Sequence, residues 1–191
     1  NVPENETWQI LRQGRHRQKL RLGSHRYNRF ILRLSDFEGD LTDLDTRLQV
    51  ISEGFPNYFG EQRFGHGGGN IDACRQWFTG QLTPGRFDRG MYLSAARSLI
   101  FNTVLAERIK AGNWNTGLNG DMFSLRDSGS VFLADIDAEI STRLAGGDIH
   151  PSGPLYGKVG KLEVSADVAQ LEDKVYAERK MEPSSRKPYN Y

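Results

Sequence analysis

The stretch Gly54-Phe-Pro-Asn-Tyr-Phe-Gly-Glu-Gln-Arg-Phe-Gly-His-Gly-Gly-Gly-Asn70 decides how this chain is read. Its seventeen residues hold three phenylalanines, one tyrosine, one arginine, two asparagines, one glutamine and six glycines. Burying a core does not require that mixture. Aromatic faces beside Arg63 and amide side chains suit a surface that stacks planar bases and hydrogen-bonds their edges. Glycine lets backbone approach a ligand or a second segment, because no Cβ obstructs it. The competing reading is a loop whose aromatics fill the gap between two packed elements, and composition alone leaves both open.

Upstream, the charge distribution favours the first reading. Net charge is only +1, yet no acidic residue occurs between Thr7 and Ser35. That window carries Arg12, Arg15, Arg17, Lys19, Arg21, Arg26, Arg29 and Arg33, with Trp8, Tyr27 and Phe30 interleaved. From Asp36 to Glu53 the balance reverses, with six carboxylates against Arg47. A basic block with aromatics among it matches the footprint of a phosphate-backbone partner. Arg15, Arg17, Lys19 and Arg21 are therefore candidate RNA-binding residues, together with Tyr58, Phe59, Gln62 and Arg63 of the central stretch. The other reading of the block is a solvated strand face whose counter-charges sit on the following helix.

Composition bounds the rest. The chain has 191 residues, enough for one good core or two modest ones. Hydrophobic residues at 37% and charged residues at 26% describe a globular protein rather than a disordered one. No apolar run approaches the roughly 18 residues that a membrane span needs, and no charged-then-apolar leader is present. Cys74 is the only cysteine, so an internal disulfide and a thiolate-rich metal site are excluded. Four scattered histidines lack metal-ligand spacing. A cytoplasmic protein without a metal site is expected, and a monomer. Because the first residue is Asn1 rather than Met, the chain is expected to begin inside a longer product.

Patterning predicts an α+β protein. Trp8–Gln13 and Lys19–Leu22 read as short strands, and Asn28–Leu34 as the clearest strand, with Phe30, Ile31, Leu32 and Leu34 in sequence. Asp40 is placed to cap a helix in which Leu41, Leu44, Leu48 and Ile51 recur at helical spacing, with Gly54 to stop it. Asn70 is a candidate cap for a helix through Ala73, Cys74, Trp77 and Phe78, with Cys74 on its apolar side. Gln81–Gly90 reads as a loop, and Met91–Ala111 as the longest helix, whose Ser94 and Arg97 are candidates to face the glycine-rich stretch. A hairpin is expected across Asp127-Ser-Gly129, then a short helix from Asp137 to Leu144 with Asp135 and Asp137 read as helix caps. His150–Gly157 reads as a turn-rich path, and Asp167–Glu178 as an amphipathic helix.

Other chemistry finds little support. His66-Gly-Gly-Gly-Asn70 ahead of a helix offers backbone N–H groups to an anion. It lacks the Lys-Ser/Thr that would make it a P-loop. Neither a Gly-x-Ser-x-Gly elbow nor a Cys/His pair at catalytic spacing occurs.

Phe55-Pro-Asn-Tyr-Phe-Gly-Glu-Gln-Arg-Phe-Gly65, followed by Gly68, Asn70 and a helix with Trp77, resembles the signature of TruD-type tRNA pseudouridine synthases. Lys19-Leu-Arg-Leu-Gly23, Asn28-Arg-Phe30, Leu93-Ser-Ala-Ala-Arg-Ser98, Phe101-Asn102 and the turn from His150 to Gly157 resemble the same family. The resemblance covers most of the chain up to about residue 180. It implies part of a pseudouridine synthase catalytic domain in residues 1–53, the family's inserted α/β domain in 54–182, and a tail or return toward the catalytic domain in 183–191.

The resemblance further implies isomerisation of uridine to pseudouridine at position 13 of tRNA, without metal or organic cofactor. By the same resemblance Asn28 hydrogen-bonds near the catalytic centre and Phe30 stacks on the target base. The family's catalytic Asp lies in a Gly-x-Lys-Asp motif that these 191 residues do not contain. The chain is thus expected to be an internal portion of the enzyme, inactive alone. The alternative is a non-catalytic RNA-binding or RNA-chaperone module.

Overall fold

The computed structural model describes residues 10, 14–15, 19, 29–33, 35–36, 38–126, 128, 130–156 and 164–178. The two short strands expected before Leu22 lie mostly outside them. The chain divides into two compact units, residues 1–51 and 52–191.

In the first unit the regular element is helix α1, Leu41–Glu53, which runs just past the unit's last residue. Asp40 starts it, its Oδ1 accepting from the Thr42 N–H at 2.7 Å. Gly54 ends it at φ 138°, a conformation that only glycine adopts readily. The helix is amphipathic in sequence, yet it buries no residue, and Leu41, Leu48 and Ile51 are exposed. The strand expected over Asn28–Leu34 does not form where it is described. Residues 29–33 have no regular structure, and Phe30, Ile31 and Leu32 are about four-fifths exposed. A strand needs a neighbour for its backbone N–H and C=O groups, and the described residues of this unit supply none.

The second unit begins with two 3₁₀ turns, Glu61–Arg63 and His66–Gly68, that lead into α2, Gly69–Phe78. Asn70 is not the cap of α2. Gly68 holds that position at φ 81° without a side-chain cap, and Asn70 lies inside the first turn. Its side chain folds back onto Gly65, where an added Cβ would meet it at 3.0 Å, and its N–H donates to Phe64 O. Glycine at 65, itself at φ 78°, is what lets the stretch close on itself.

Helix α3 spans Arg86–Lys110 and starts five residues earlier than the periodicity implied, so the second half of the expected loop is helical. Gly85 caps it without a side-chain bond, which left no polar N-cap signal to read. Gly112, at φ 70°, donates to Ile109 O and closes the end. Helices α2 and α3 pack together, and Cys74 of the first and Ala95 and Ile100 of the second are buried.

Strands β1 (Asp121–Leu125), β2 (Val131–Ala134) and β3 (Ile149–Ser152) form an antiparallel sheet in the order β2-β1-β3. The β1–β2 hairpin turns where the sequence placed it, pairing Met122 with Leu133 and Ser124 with Val131. β3 was not expected: it occupies the front of the turn-rich stretch and sets Pro151 opposite Phe123. Proline is admissible there because β3 is an edge of this sheet. Helix α4, Ala138–Ala145, is capped by Asp137, whose Oδ1 accepts from the Ile140 N–H at 2.7 Å. Asp135 makes no such cap. Phe123, Ile140 and Ile149 form the core under the sheet, with Phe132, Ile136 and Leu144 around them. Helix α5, Ala166–Glu178, buries Val168 and Val175 and packs on α3. Among the described residues, five α-helices beside one antiparallel sheet make the α+β class that patterning predicted.

Candidate nucleic-acid interface

The aromatic stretch is pinned to the middle of α3 by one side chain. Asn102 accepts from the Phe59 N–H at 2.9 Å and donates to Phe59 O at 2.9 Å. Its amide thus imitates a strand partner and satisfies both backbone groups of Phe59. The preceding residue of α3, Phe101, meets the Phe59 ring edge-on, centroids 5.4 Å apart at 77°, the arrangement that aromatic quadrupoles favour.

With Phe59 fixed, Arg63 falls into a defined place. Its guanidinium lies 5.3 Å from the Phe59 ring centroid, and its Nη1 donates to Ser94 Oγ at 3.0 Å. A cation over a ring and a single neutral acceptor leave most of its donors facing solvent. Among the described residues, no carboxylate pairs with Arg63.

These contacts border an open pocket of about 560 Å³ lined by Tyr58, Phe59, Gly60, Gln62, Arg63, Asn70, Met91 and Ser94. All four candidates from the central stretch are brought together here. Met91, Ser94 and Asn70 complete the wall from α3 and α2. Tyr58 is 43% exposed, Met91 also shows to solvent, and Gln62 is exposed, so aromatic, thioether, amide and guanidinium groups face one space. Such a wall can stack a flat heterocycle, bond its edge, and attract a neighbouring anionic group.

A second cleft, of about 830 Å³, lies on the other side of Gln62 and is lined by Glu61, Phe64, the glycines from 65 to 68, His66, Asp72 and Arg75. Arg75 is there engaged by Asp72 at 3.1 Å. The two spaces therefore differ in charge: the first carries an arginine without an acid, the second a pair and a further glutamate.

The remaining candidates are distributed differently. Arg15 and Lys19 are exposed in the first unit, outside regular structure, and Phe30 is 79% exposed. None of them lines the pocket. Asn28, Arg17 and Arg21 lie outside the described residues.

Two features had no sequence signal of their own. One is the Asn102 clamp, which spans 43 residues of chain. The other lies farther along the same helix: Arg108 of α3 meets the fully buried Asp121 through Nη1 at 3.0 Å and Nη2 at 2.6 Å. Asp121 also accepts from the N–H groups of Leu118 and Met122. That fork ties the end of α3 to the start of β1 and leaves the carboxylate well satisfied. Cys74, by contrast, is as expected: it is a buried residue of α2, and desolvation pushes its thiol up to about 11.

Comparison with known proteins gives a consistent picture. A family model described as tRNA pseudouridine synthase D (TruD) matches residues 3–71 and 85–189. The chain is similar to the tRNA pseudouridine synthase D of Nitrosococcus oceani, 44% identical over 92% of this chain and 49% of that protein. With the Pseudomonas fluorescens protein of the same name it shares 45% identity over 93% of this chain and 51% of the relative. With that of Aeromonas hydrophila it shares 42% over 93% and 50%. The chain spans about half the length of the curated relatives it matches.

Proposed function

Because the chain belongs to the TruD family of tRNA pseudouridine synthases, we propose that it is an internal portion of an enzyme that converts uridine to pseudouridine at position 13 of tRNA. The observation that carries this reading beyond family membership is the pocket at Tyr58, Phe59, Gln62 and Arg63, which combines stacking faces with an arginine that no described carboxylate neutralises. We assign the pocket to contact with unpaired nucleotides of the tRNA.

Residues 1–53 are assigned to the catalytic domain, 54–182 to the inserted domain, and 183–191 to a tail or return. The division of the chain after Ile51 supports this reading. So does the bare apolar surface of the first unit, where Phe30, Ile31, Leu32, Leu41, Leu48 and Ile51 stand exposed. Asn28 and Phe30 are assigned to the active-site lining, and Arg15, Arg17, Lys19 and Arg21 to phosphate contacts. Catalysis itself is assigned to a carboxylate in a Gly-x-Lys-Asp segment, which this sequence lacks. That group assists glycosidic cleavage, after which the uracil turns and rejoins through carbon.

Incubating the chain with unmodified tRNA and mapping pseudouridine by chemical labelling and primer extension tests the proposal. The chain should bind tRNA and form no product, whereas the full-length enzyme of which it is a portion should yield pseudouridine at position 13. Absence of tRNA binding, or product from the chain alone, contradicts it.

A further inference from the structure

Two arginines of helix α3, Arg97 and Arg108, differ in their surroundings. Arg108 has both terminal nitrogens on the Asp121 carboxylate. The Nε of both is buried without a hydrogen-bond partner, but Arg97, half-buried, has among the described residues one bond, to Leu155 O at the long distance of 3.5 Å. Burying donors unpaired is costly; Arg108 offsets that cost with a bidentate carboxylate, and Arg97 has no such group. Among the described residues no carboxylate pairs with Arg97 either.

Its position is informative. Ser94, which receives Arg63, lies three residues before Arg97, so the two side chains neighbour each other on the helix surface. Helical side chains lean toward the N-terminus, which inclines Arg97 toward the Ser94 turn. Arg97 thus starts from the helix position next to the one that receives Arg63, and Arg63 and Ser94 line the pocket. Glu61, the acid of that 3₁₀ turn, lines the second cleft instead. Like charges without a counter-charge fit an anion with several acceptor oxygens, and planar guanidinium forks match phosphate oxygens in pairs.

We propose that Arg63 and Arg97 together hold one backbone phosphate of the bound RNA, with the adjoining base directed into the pocket at Tyr58. This rests on the RNA reading above and adds to it a specific seat for the phosphodiester.

The test titrates the 191-residue chain with an unmodified tRNA transcript across a range of salt concentrations. Arg97→Gln keeps a donor for Leu155 O and removes the charge; Arg97→Lys keeps the charge. Thermal melting accompanies each variant, and Arg97→Lys reports charge even where Arg97→Gln melts early. Arg97→Gln should reduce the slope of log affinity against log salt by about 1, and Arg97→Lys should leave it near the wild-type value. Arg63→Gln should lower the slope similarly. The double variant should lose less than the sum of the two, because both groups serve one phosphate. A wild-type slope in Arg97→Gln, an equal loss in Arg97→Lys, or strictly additive losses each overturn the shared seat while leaving RNA binding intact. Loss of inorganic phosphate binding in Arg97→Gln with an unaltered tRNA slope also overturns it, by reducing the site to one for the free ion. A wild-type chain that does not bind tRNA overturns this proposal and the RNA reading together.

Discussion

Asn102 binds Phe59 by both backbone polar groups at 2.9 Å each, across 43 residues of chain. An aromatic-rich surface turn is thus held by a side chain that mimics the edge of a sheet. Phe59 in turn carries the Arg63 guanidinium on its ring, so the geometry of the pocket depends on this one amide.

Asn102→Ala should leave a partly buried N–H and C=O without partners and cost roughly 1–3 kcal/mol. Asn102→Asp keeps the acceptor for the N–H but sets a carboxylate against Phe59 O, and should do no better. Urea denaturation measures the loss, and tRNA affinity should fall with it as Arg63 is released. A fully stable Asn102→Ala chain would show that the clamp is incidental.

Arg108 and Asp121 form a buried ion pair that ties α3 to β1. Removing one partner strands the other charge in the interior, which typically costs about 3–5 kcal/mol. Arg108→Met should fall in that range, and the double variant Arg108→Met/Asp121→Leu should recover much of the loss. Calorimetry or denaturant titration of the three chains decides, and equal stability of single and double variants would count against the pair as described.

Cys74 sets an alkaline limit. Burial raises its thiol from 9.0 to about 11, so the folded state prefers the protonated form. The sign follows: the contribution is fully present below pH 9 and is lost as pH climbs toward 11, because the unfolded chain ionises first. Melting temperatures of wild type and Cys74→Ala should therefore converge over that window, with iodoacetamide reacting slowly at neutral pH. Rapid alkylation of the folded chain at pH 7 would contradict the buried placement.

Phe30 is assigned to the target base. Its ring is 79% exposed, so Phe30→Ala should leave the melting temperature of the chain unchanged. In the full-length enzyme the same change should lose roughly 1–3 kcal/mol of base stacking, read as weaker tRNA binding or slower turnover. Undiminished turnover would remove Phe30 from the active site.

Elements with local signals were legible in the sequence. Asp40 and Asp137 cap the helices they precede, the hairpin turns between Leu125 and Val131, and α5 follows its apolar spacing. The first turn of α3 was missed because a glycine caps it, and β3 because proline argues against a strand. The strand pattern of Asn28–Leu34 had the right composition but no described neighbour. The residues of the site were legible for the same reason as the helices: Tyr58, Phe59, Gln62 and Arg63 adjoin one another in sequence, and a short turn gathers them. Asn102, Arg108 and Asp121 were not, since each acquires its role from a partner that the tertiary fold selects.

Pro151 has a consequence for the behaviour of the chain among its own copies. A proline can face Phe123 in β3 only with its nitrogen turned to the outer side of the sheet. The four-residue border strand therefore offers an incoming strand no donor at that point. Self-templated sheet growth, the usual route from an open border to aggregates, meets an interruption there, so Pro151→Val should make concentrated solutions of this chain less durable.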